Sequence, residues 1–406
     1  MTASPVAPAV LTVDVAALVD NWRLLKQRSA PGDCAAVVKA NGYGLGIETV
    51  APPLYAAGCR VFFVAHIGEG QRLRALLPEA GARIYVLNGL EAKADPLADY
   101  ARHRLAPAIG AAAELARWAA FARGQASPPP AALHLDTGMN RLGFESLDAL
   151  RAGVAAAGDS GADLLMSHFV SSEVPDDPLN ALQIARFDAA RAALPRLTAS
   201  LANSSGLFLP GPPAYDLGRP GYALYGGNPT PGRPNPMRPV VALDVAIQQT
   251  RWIEKGESCG YNAQWTARRR TRLATLLAGD ADGLPRAAGF VDGRDGAEVE
   301  IAGRRCRLVG RVSMDLIIAD VTDLPESAAR PGDYARLFGG AVSLDEFAER
   351  AGTIGYTILT SLSRRYARRV VGAPAPASCA ACAAGESKEA EPISTPTRLE
   401  IPPRTA

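Results

Sequence analysis

The sequence predicts an α/β protein in which residues 1–240 form a (β/α)8 barrel of the TIM type and residues 241–371 form a mostly β domain. Three observations point there. The chain has 406 residues, too many for one ordinary domain at roughly 100 to 200 residues each, and its 48% hydrophobic and 21% charged residues suit a globular fold. Up to about residue 240, short apolar β-type runs alternate with helical patterns, about eight units in all. After Pro239 that alternation stops, and strand-like runs broken by Gly and Asp turns replace it. An open doubly wound sheet is the second reading of residues 1–240. No GxGxxG opens a helix after the first strand, so a dinucleotide site loses its main support.

The elements follow in order. Asp14 is a candidate N-cap, and Val15, Leu18, Val19, Trp22 and Leu25 recur behind it at helical spacing. Strands are expected at residues 35–39, 61–65, 83–87, 132–136, 164–169 and 199–204, and helices at 70–77, 111–123, 147–157 and 179–193. In the second part, strands are expected at residues 240–251, 273–277, 306–312 and 316–321. From Gly372 onward Pro, Ala, Ser, Thr and Glu dominate without an apolar period, so residues 372–406 are expected to be a disordered tail.

Charge and cysteine usage narrow the function. With 43 Lys plus Arg against 41 Asp plus Glu, the net charge of +2 favours neither nucleic acid nor an anionic membrane as partner. The first apolar stretch has no Lys or Arg before it and contains two prolines, unlike a signal peptide. No apolar run approaches the ~20 residues of a membrane span, which makes the cytoplasm the expected compartment. Cys34, Cys59, Cys259, Cys306, Cys379 and Cys382 are too scattered for a disulfide framework. Cys379 and Cys382 have zinc-like or redox spacing but no second Cys or His pair, so no metal is assigned. The basic run Arg268 to Arg270 with Arg272 reads as a solvated hairpin.

The chemistry centres on Lys39, which ends an apolar run beginning at Cys34 and is followed by the loop Ala40-Asn-Gly-Tyr-Gly-Leu-Gly46. A lysine at a strand end can snorkel its ammonium to water. At the C-terminal mouth of a barrel, however, a desolvated lysine has its pKa lowered and can form a Schiff base.

The run VVKANGYGLG, residues 37–46, resembles the cofactor-lysine motif of the alanine racemase family, enzymes that use pyridoxal 5'-phosphate (PLP). Six more segments carry the resemblance in order: HLDTGMNRLGF at 134–144, SHF at 167–169, LANSSG at 201–206, the long run 216–241, GYNAQWTA at 260–267 and GRVSMD at 310–315. AGTIGY at 351–356 extends it, and the runs 216–241 and 352–369 resemble the bacterial biosynthetic type most closely.

The resemblance implies interconversion of L- and D-alanine, supplying D-alanine for cell-wall peptidoglycan, with PLP held as an internal aldimine on Lys39. The α-proton leaves from one face and returns on the other, so two bases on opposite faces are needed. By resemblance, Lys39 serves the D-alanine face and Tyr261 the L-alanine face. A free tyrosine has a pKa of ~10, so ionising it at neutral pH costs about 4 kcal/mol unless positive charge is near. Arg219 would face the pyridine nitrogen, where its guanidinium keeps its proton and limits delocalisation into the ring. His168 would pack beside the ring, bonded to Arg219. Tyr43, Ser204, Gly221, Tyr222 and Tyr356 match the phosphate-binding positions, and Arg141 with the Met314 N–H those for the substrate carboxylate. Asp315 and His134 are supporting residues, and a homodimer with shared active sites is implied.

Three positions depart from the family pattern. His134 stands where a lysine, carbamylated in some members, is common; its imidazole could still bond Arg141. Leu45 replaces a common histidine. GDADG at 279–283 replaces GYADG, placing Asp280 where a tyrosine lines the access channel. A carboxylate ~7 Å from the incoming substrate carboxylate costs roughly 1 to 2 kcal/mol at a dielectric of 20 to 40. A raised KM and weaker size discrimination are expected. The alternatives are a racemase of broader or different specificity, or a low-activity PLP-binding homologue.

Overall fold

The computed structural model describes residues 7–78, 81–91, 97–125, 130–211 and 215–372. The expected tail, apart from Gly372, lies outside the described residues, as do Cys379 and Cys382.

The chain opens with strand β1 (Ala9–Asp14) and helix α1 (Val15–Ser29). Asp14 caps α1 through the Ala17 N–H at 3.0 Å, and Val15, Leu18, Trp22 and Leu25 form its buried face, as the spacing predicts. The barrel then follows: β2 (Asp33–Cys34), β3 (Ala36–Val37), a kinked turn α2 (Lys39–Tyr43), α3 (Ile47–Ala56), β4 (Val61–Val64), α4 (Ile67–Leu76), β5 (Arg83–Val86), α5 (Leu97–Arg102), β6 (Leu105–Ile109), α6 (Ala112–Arg123), β7 (Ala131–His134), α7 (Leu147–Ala157), β8 (Ala162–Met166), α8 (Pro178–Ala193), β9 (Thr198–Ser200) and β10 (Leu217–Gly218). Strands β3 to β9 form one parallel sheet in sequence order. β10 pairs in parallel with β2, and the Ala35 and Val37 N–H groups donate to Gly218 and Pro220 carbonyls at 2.9 and 3.0 Å. On its other side the Arg219 N–H reaches the Ala202 carbonyl at 2.9 Å, so β10 closes the ring as the eighth position.

Several elements differ from expectation. β6 was not foreseen because Pro107 interrupts a short apolar run, yet all five of its residues are buried. α3 carries Pro52 and Pro53 inside it, which hid its helical pattern. The helix expected at 70–77 starts at Ile67, where Glu69 accepts the His66 N–H at 3.3 Å. The strand expected at 35–39 ends at Val37.

The second part contains β11 (Val241–Ile253), β12 (Ser258–Cys259), β13 (Trp265–Thr266), β14 (Thr271–Leu276), β15 (Glu298–Ile301), β16 (Arg304–Arg307), β17 (Ile317–Asp320), β18 (Tyr334–Phe338), α9 (Leu344–Arg350), α10 (Gly355–Ser361) and β19 (Ala367–Val371). Its main sheet runs β16-β15-β18-β11-β1-β19, and the long β11 also pairs with β14, which pairs with β17. Residues 9–14 of the expected 1–240 segment therefore belong to this sheet and not to the barrel: β1 lies antiparallel to β11 and parallel to β19. Its alternation of buried Ala9, Leu11 and Val13 with half-buried neighbours suits a sheet with one covered face. The expected solvated hairpin also needs correction. Arg269 and Arg270 pair with Asp323 and Glu254 at the surface, but Arg272 is buried in β14, a strand flanked by β11 and β17 whose residues 271–274 are all buried. Among the described residues, no helix is long and apolar enough to cross a membrane.

Candidate active site

Lys39, His134, His168, Ser204, Arg219 and Gly221 all lie at or just beyond the C-terminal ends of barrel strands, where a barrel gathers loops from separate units. Behind Lys39 the backbone turns left-handed: Ala40, Asn41, Gly42 and Tyr43 have φ of 53°, 56°, 64° and 51°. For the non-glycine residues this costs about 1–2 kcal/mol each, so surrounding contacts must over-determine the turn. The Gly42 and Gly44 N–H groups bond Val38 and Ala40 carbonyls at 2.9 and 2.8 Å, and the Asn41 side chain accepts the Ile47 N–H at 3.1 Å. Gly44, at φ 82°, lies so close to the Leu359 carbonyl of α10 that a Cβ would overlap it. Burial lowers the Lys39 pKa, the Arg141 charge lowers it further, and Glu69 opposes both. The Lys39 ammonium has no hydrogen-bond acceptor among the described residues. A lysine of reduced proton affinity, free to react, is the chemical requirement for a Schiff base.

A second cluster forms an anion cradle. Ser204 Oγ accepts the Gly221 and Ala223 N–H groups at 3.0 and 3.2 Å, which leaves its own O–H available as a donor. A Cβ on Gly221 would overlap the Tyr43 hydroxyl oxygen, so the absence of a side chain there lets that phenol reach the same place. The Tyr43 ring stacks on Tyr225 at 4.5 Å and lies 6.2 Å from Tyr356, which stacks on Tyr222 at 4.0 Å. Burial holds the Tyr43 and Tyr356 phenols well above the usual tyrosine range, so both stay protonated donors. Hydroxyl donors from Ser204, Tyr43 and Tyr356, without a lysine, suit a phosphate monoester, and these residues fit the phosphate of PLP.

Arg219 is 4% exposed and, among the described residues, has no carboxylate partner. Its guanidinium donates to the Ser200 carbonyl at 2.7 Å, to Ser200 Oγ at 2.6 Å and to the Ser167 carbonyl. Burial lowers its pKa to about 9, which still leaves it charged at neutral pH. The expected bond from His168 to Arg219 is absent; the strand-end carbonyls of β8 and β9 converge on the guanidinium and take its donors instead. His168 titrates at about 3, through burial and then the charges of Arg219, Arg141 and Lys39, so its imidazole is neutral. His134 is likewise lowered to about 4, by burial and then Arg219. The expected His134–Arg141 hydrogen bond is not formed either: Arg141 is exposed on the loop after β7 and has no hydrogen-bond partner among the described residues. It interacts with Lys39, His168 and His134 through charge alone. An unpaired guanidinium beside a reactive lysine suits a carboxylate ligand.

The remaining expected residues sit on the β domain. Tyr261 is 61% exposed on a turn that follows Gly260, and Met314 is 65% exposed. Neither is hydrogen-bonded through its side chain to the Lys39 cluster within the chain. Asp315 pairs with Arg365 at 2.8 Å, and Arg365 reaches Asp282 at 3.3 Å. Asp282 in turn accepts the Gly279 N–H at 2.9 Å, while the Asp280 and Ala281 N–H groups bond the Ser313 and Met314 carbonyls at 3.0 Å each. Asp280 thus travels with the Met314 loop, and its carboxylate faces Arg286 at 3.9 Å. Leu45 is buried.

Three residues at the site fall outside the sequence expectations. Glu69 bonds the Ala40 N–H at 2.7 Å. Gln183, fully buried on α8, donates to Thr137 Oγ1 and the His168 carbonyl at 2.9 Å each and accepts the Val170 N–H at 2.8 Å, tying the loops after β7 and β8 to that helix. Asp345 on α9 accepts the Tyr222 hydroxyl at 2.6 Å and the Asn228 N–H at 3.0 Å, bracing the cradle from the β domain. An acidic residue three positions past a helix start was the available signal for Glu69; Gln183 and Asp345 act over long sequence separations and left none.

Comparison with known proteins agrees with this geometry. Residues 13–229 match the family described as alanine racemase, N-terminal domain, and residues 240–370 match alanine racemase, C-terminal domain. The chain is 53% identical over 372 residues to a Methylobacterium sp. (strain 4-46) protein named alanine racemase, covering 91% of this chain and 100% of that one. It is 48% identical to a Rhodospirillum rubrum protein of the same name, over 90% of this chain and 96% of that one. Among solved structures it is similar to alanine racemase from Bartonella henselae with covalently bound pyridoxal phosphate, at TM-score 0.82 and 37% identity, covering 90% of this chain and 100% of that one. The biosynthetic alanine racemase from Pseudomonas aeruginosa gives TM-score 0.81 and 36% identity over 90% and 99% of the two chains.

Proposed function

The chain belongs to the alanine racemase family, and from that membership we propose that it interconverts L- and D-alanine using pyridoxal 5'-phosphate bound through Lys39. The observation that carries the reading is the unpaired Lys39 amine of lowered proton affinity, facing Arg141 beside the anion cradle at the barrel mouth. Bound there, the cofactor supplies an electron sink that acidifies the substrate α-C–H. Ser204, the Tyr43 and Tyr356 hydroxyls and the turn at Gly221 and Tyr222 hold the phosphate, and the charged Arg219 faces the ring nitrogen. Arg141 and the Met314 N–H orient the substrate carboxylate, with Asp315 and His134 in support. Lys39 removes or returns the α-proton on the D-alanine face, and Tyr261 of the partner subunit does so on the other.

The proposed enzyme is a homodimer, because 61% of Tyr261 is exposed and no hydrogen bond links it to Lys39 within the chain. A second copy would cap the barrel mouth and supply the opposite-face base. Its place is the cytoplasm, where the product D-alanine enters peptidoglycan synthesis. A broader amino-acid range is a second reading, favoured by the carboxylate of Asp280 beside the Met314 loop.

The test compares purified protein with Lys39→Ala for the visible absorbance of lysine-bound cofactor and for racemisation of alanine, serine and lysine. The absorbance should be lost in the variant, and wild type should act on alanine most. Cofactor bound through Lys39 with no racemisation of any amino acid would leave a binding module and refute the enzyme.

A further inference from the structure

Glu69 lies outside every motif that carries the family resemblance, on the first turn of α4. Its carboxylate is divided between two neighbouring strand ends. One oxygen accepts the Ala40 N–H at 2.7 Å; the other accepts the Ala65 N–H at 2.8 Å and the His66 N–H at 3.3 Å. Ala40 is the residue after Lys39 and the first in the left-handed run, with φ 53° and ψ 46°. Without that acceptor the turn loses the one side-chain bond made to Ala40 itself, which shifts the balance of this disfavoured conformation towards the right-handed region. A relaxed turn would swing Lys39 relative to the end of β3 and away from Arg141.

We propose that Glu69 is a positioning residue for Lys39, clamping the left-handed turn to the end of β4 so that the amine stays in the barrel mouth. The inference rests on Lys39 being the cofactor lysine. Among the described residues, three titratable groups face Lys39: Glu69 from α4, Arg141 from the loop after β7 and the neutral His168 from the segment after β8. Only Glu69 favours the ammonium. Removing its charge has a second consequence, distinct from loosening the turn: the amine becomes easier to deprotonate.

Both consequences are read in one experiment. Full-length apoprotein is mixed with pyridoxal 5'-phosphate, and the growth of visible absorbance is timed across pH. The neutral Lys39 amine attacks the aldehyde carbon, forming a C=N bond and releasing water, so the rate rises as the ammonium deprotonates. Glu69→Gln should lower the plateau rate about tenfold or more, the scale on which misplacing a reacting group acts. It should also move the midpoint of the rise to lower pH, which a purely structural defect would not do.

Adding Ala40→Gly, which removes the steric cost of the left-handed backbone, should restore the plateau but leave the midpoint shifted. If Glu69→Gln alone does not fold, the double variant carries the comparison. A Glu69→Gln plateau and midpoint equal to wild type, or no recovery of the plateau with Ala40→Gly, overturns the proposal while leaving Lys39 in its role. No absorbance with the wild-type protein overturns both.

Discussion

Gly221→Ala isolates the steric contribution of one missing side chain. The backbone at Gly221 has a negative φ of −124°, so the substitution avoids the penalty of the left-handed region and acts chiefly through its methyl group. That methyl would overlap the Tyr43 hydroxyl oxygen and stand 3.0 Å from Cζ, roughly 1 Å inside ordinary contact. Tyr43 cannot retreat: it is 6% exposed, stacked on Tyr225 at 4.5 Å and flanked by Tyr356 at 6.2 Å. Overpacking of this kind costs about 1–3 kcal/mol. Because the displaced atoms line the phosphate cradle, the cost should appear as a rise in the cofactor Kd of about 5- to 150-fold. Tyr43→Phe removes the overlapping oxygen, so adding Gly221→Ala to it should cost less than half as much. Cofactor titrations of the four proteins, with thermal unfolding of each apoprotein, complete the cycle. Equal costs in the two backgrounds, within about 0.5 kcal/mol, would refute the steric argument.

Asp345→Asn places an amide donor against either the Tyr222 hydroxyl or the Asn228 N–H. Losing one charge-assisted bond of about 1.5–3 kcal/mol should weaken cofactor binding about tenfold or more, and an unchanged Kd in titration would remove Asp345 from the cradle. His134 has a folded pKa of about 4 against an ordinary 6.5, so the unfolded chain binds more protons and stability falls as pH drops through that window. His134→Gln should recover up to roughly 3 kcal/mol near pH 4 and lessen the fall in melting temperature between pH 6.5 and 4, His168 keeping its own share; parallel curves would contradict it. Asp280→Tyr should lower the KM for alanine. With Arg286 only 3.9 Å from that carboxylate, the expected change shrinks below ~1 kcal/mol, or about fivefold, and an unchanged or higher KM in racemase assays would defeat it.

The barrel was legible where burial on both faces makes a strand read as an apolar run, as at Val61–Val64 and Arg83–Val86. It was illegible where local chemistry opposes the fold: Pro107 in β6, and Pro52 and Pro53 in α3. Lys39 stood out because a charge ends an apolar run. The left-handed turn behind it did not, since Ala40 and Tyr43 have no preference for positive φ and tertiary contacts impose it. Hydrogen-bond partners were the least readable feature. Whether Arg219 meets His168 or the carbonyls of Ser167 and Ser200 depends on how two strand ends converge, which spacing along the chain does not encode.

The position of β1 has a consequence for the order in which the protein can form. Val10 pairs with Asp244 on one side and Ala367 on the other, so the first strand to leave the ribosome cannot find either neighbour until more than half, and then nearly all, of the chain has been made. Contacts of such sequence separation form slowly and leave an apolar strand unpaired meanwhile. The barrel can assemble first, with β1 waiting at its side, and the final sheet is then sewn shut when β19 joins β1. Deleting residues 9–14 or 367–371 would undo the same seam.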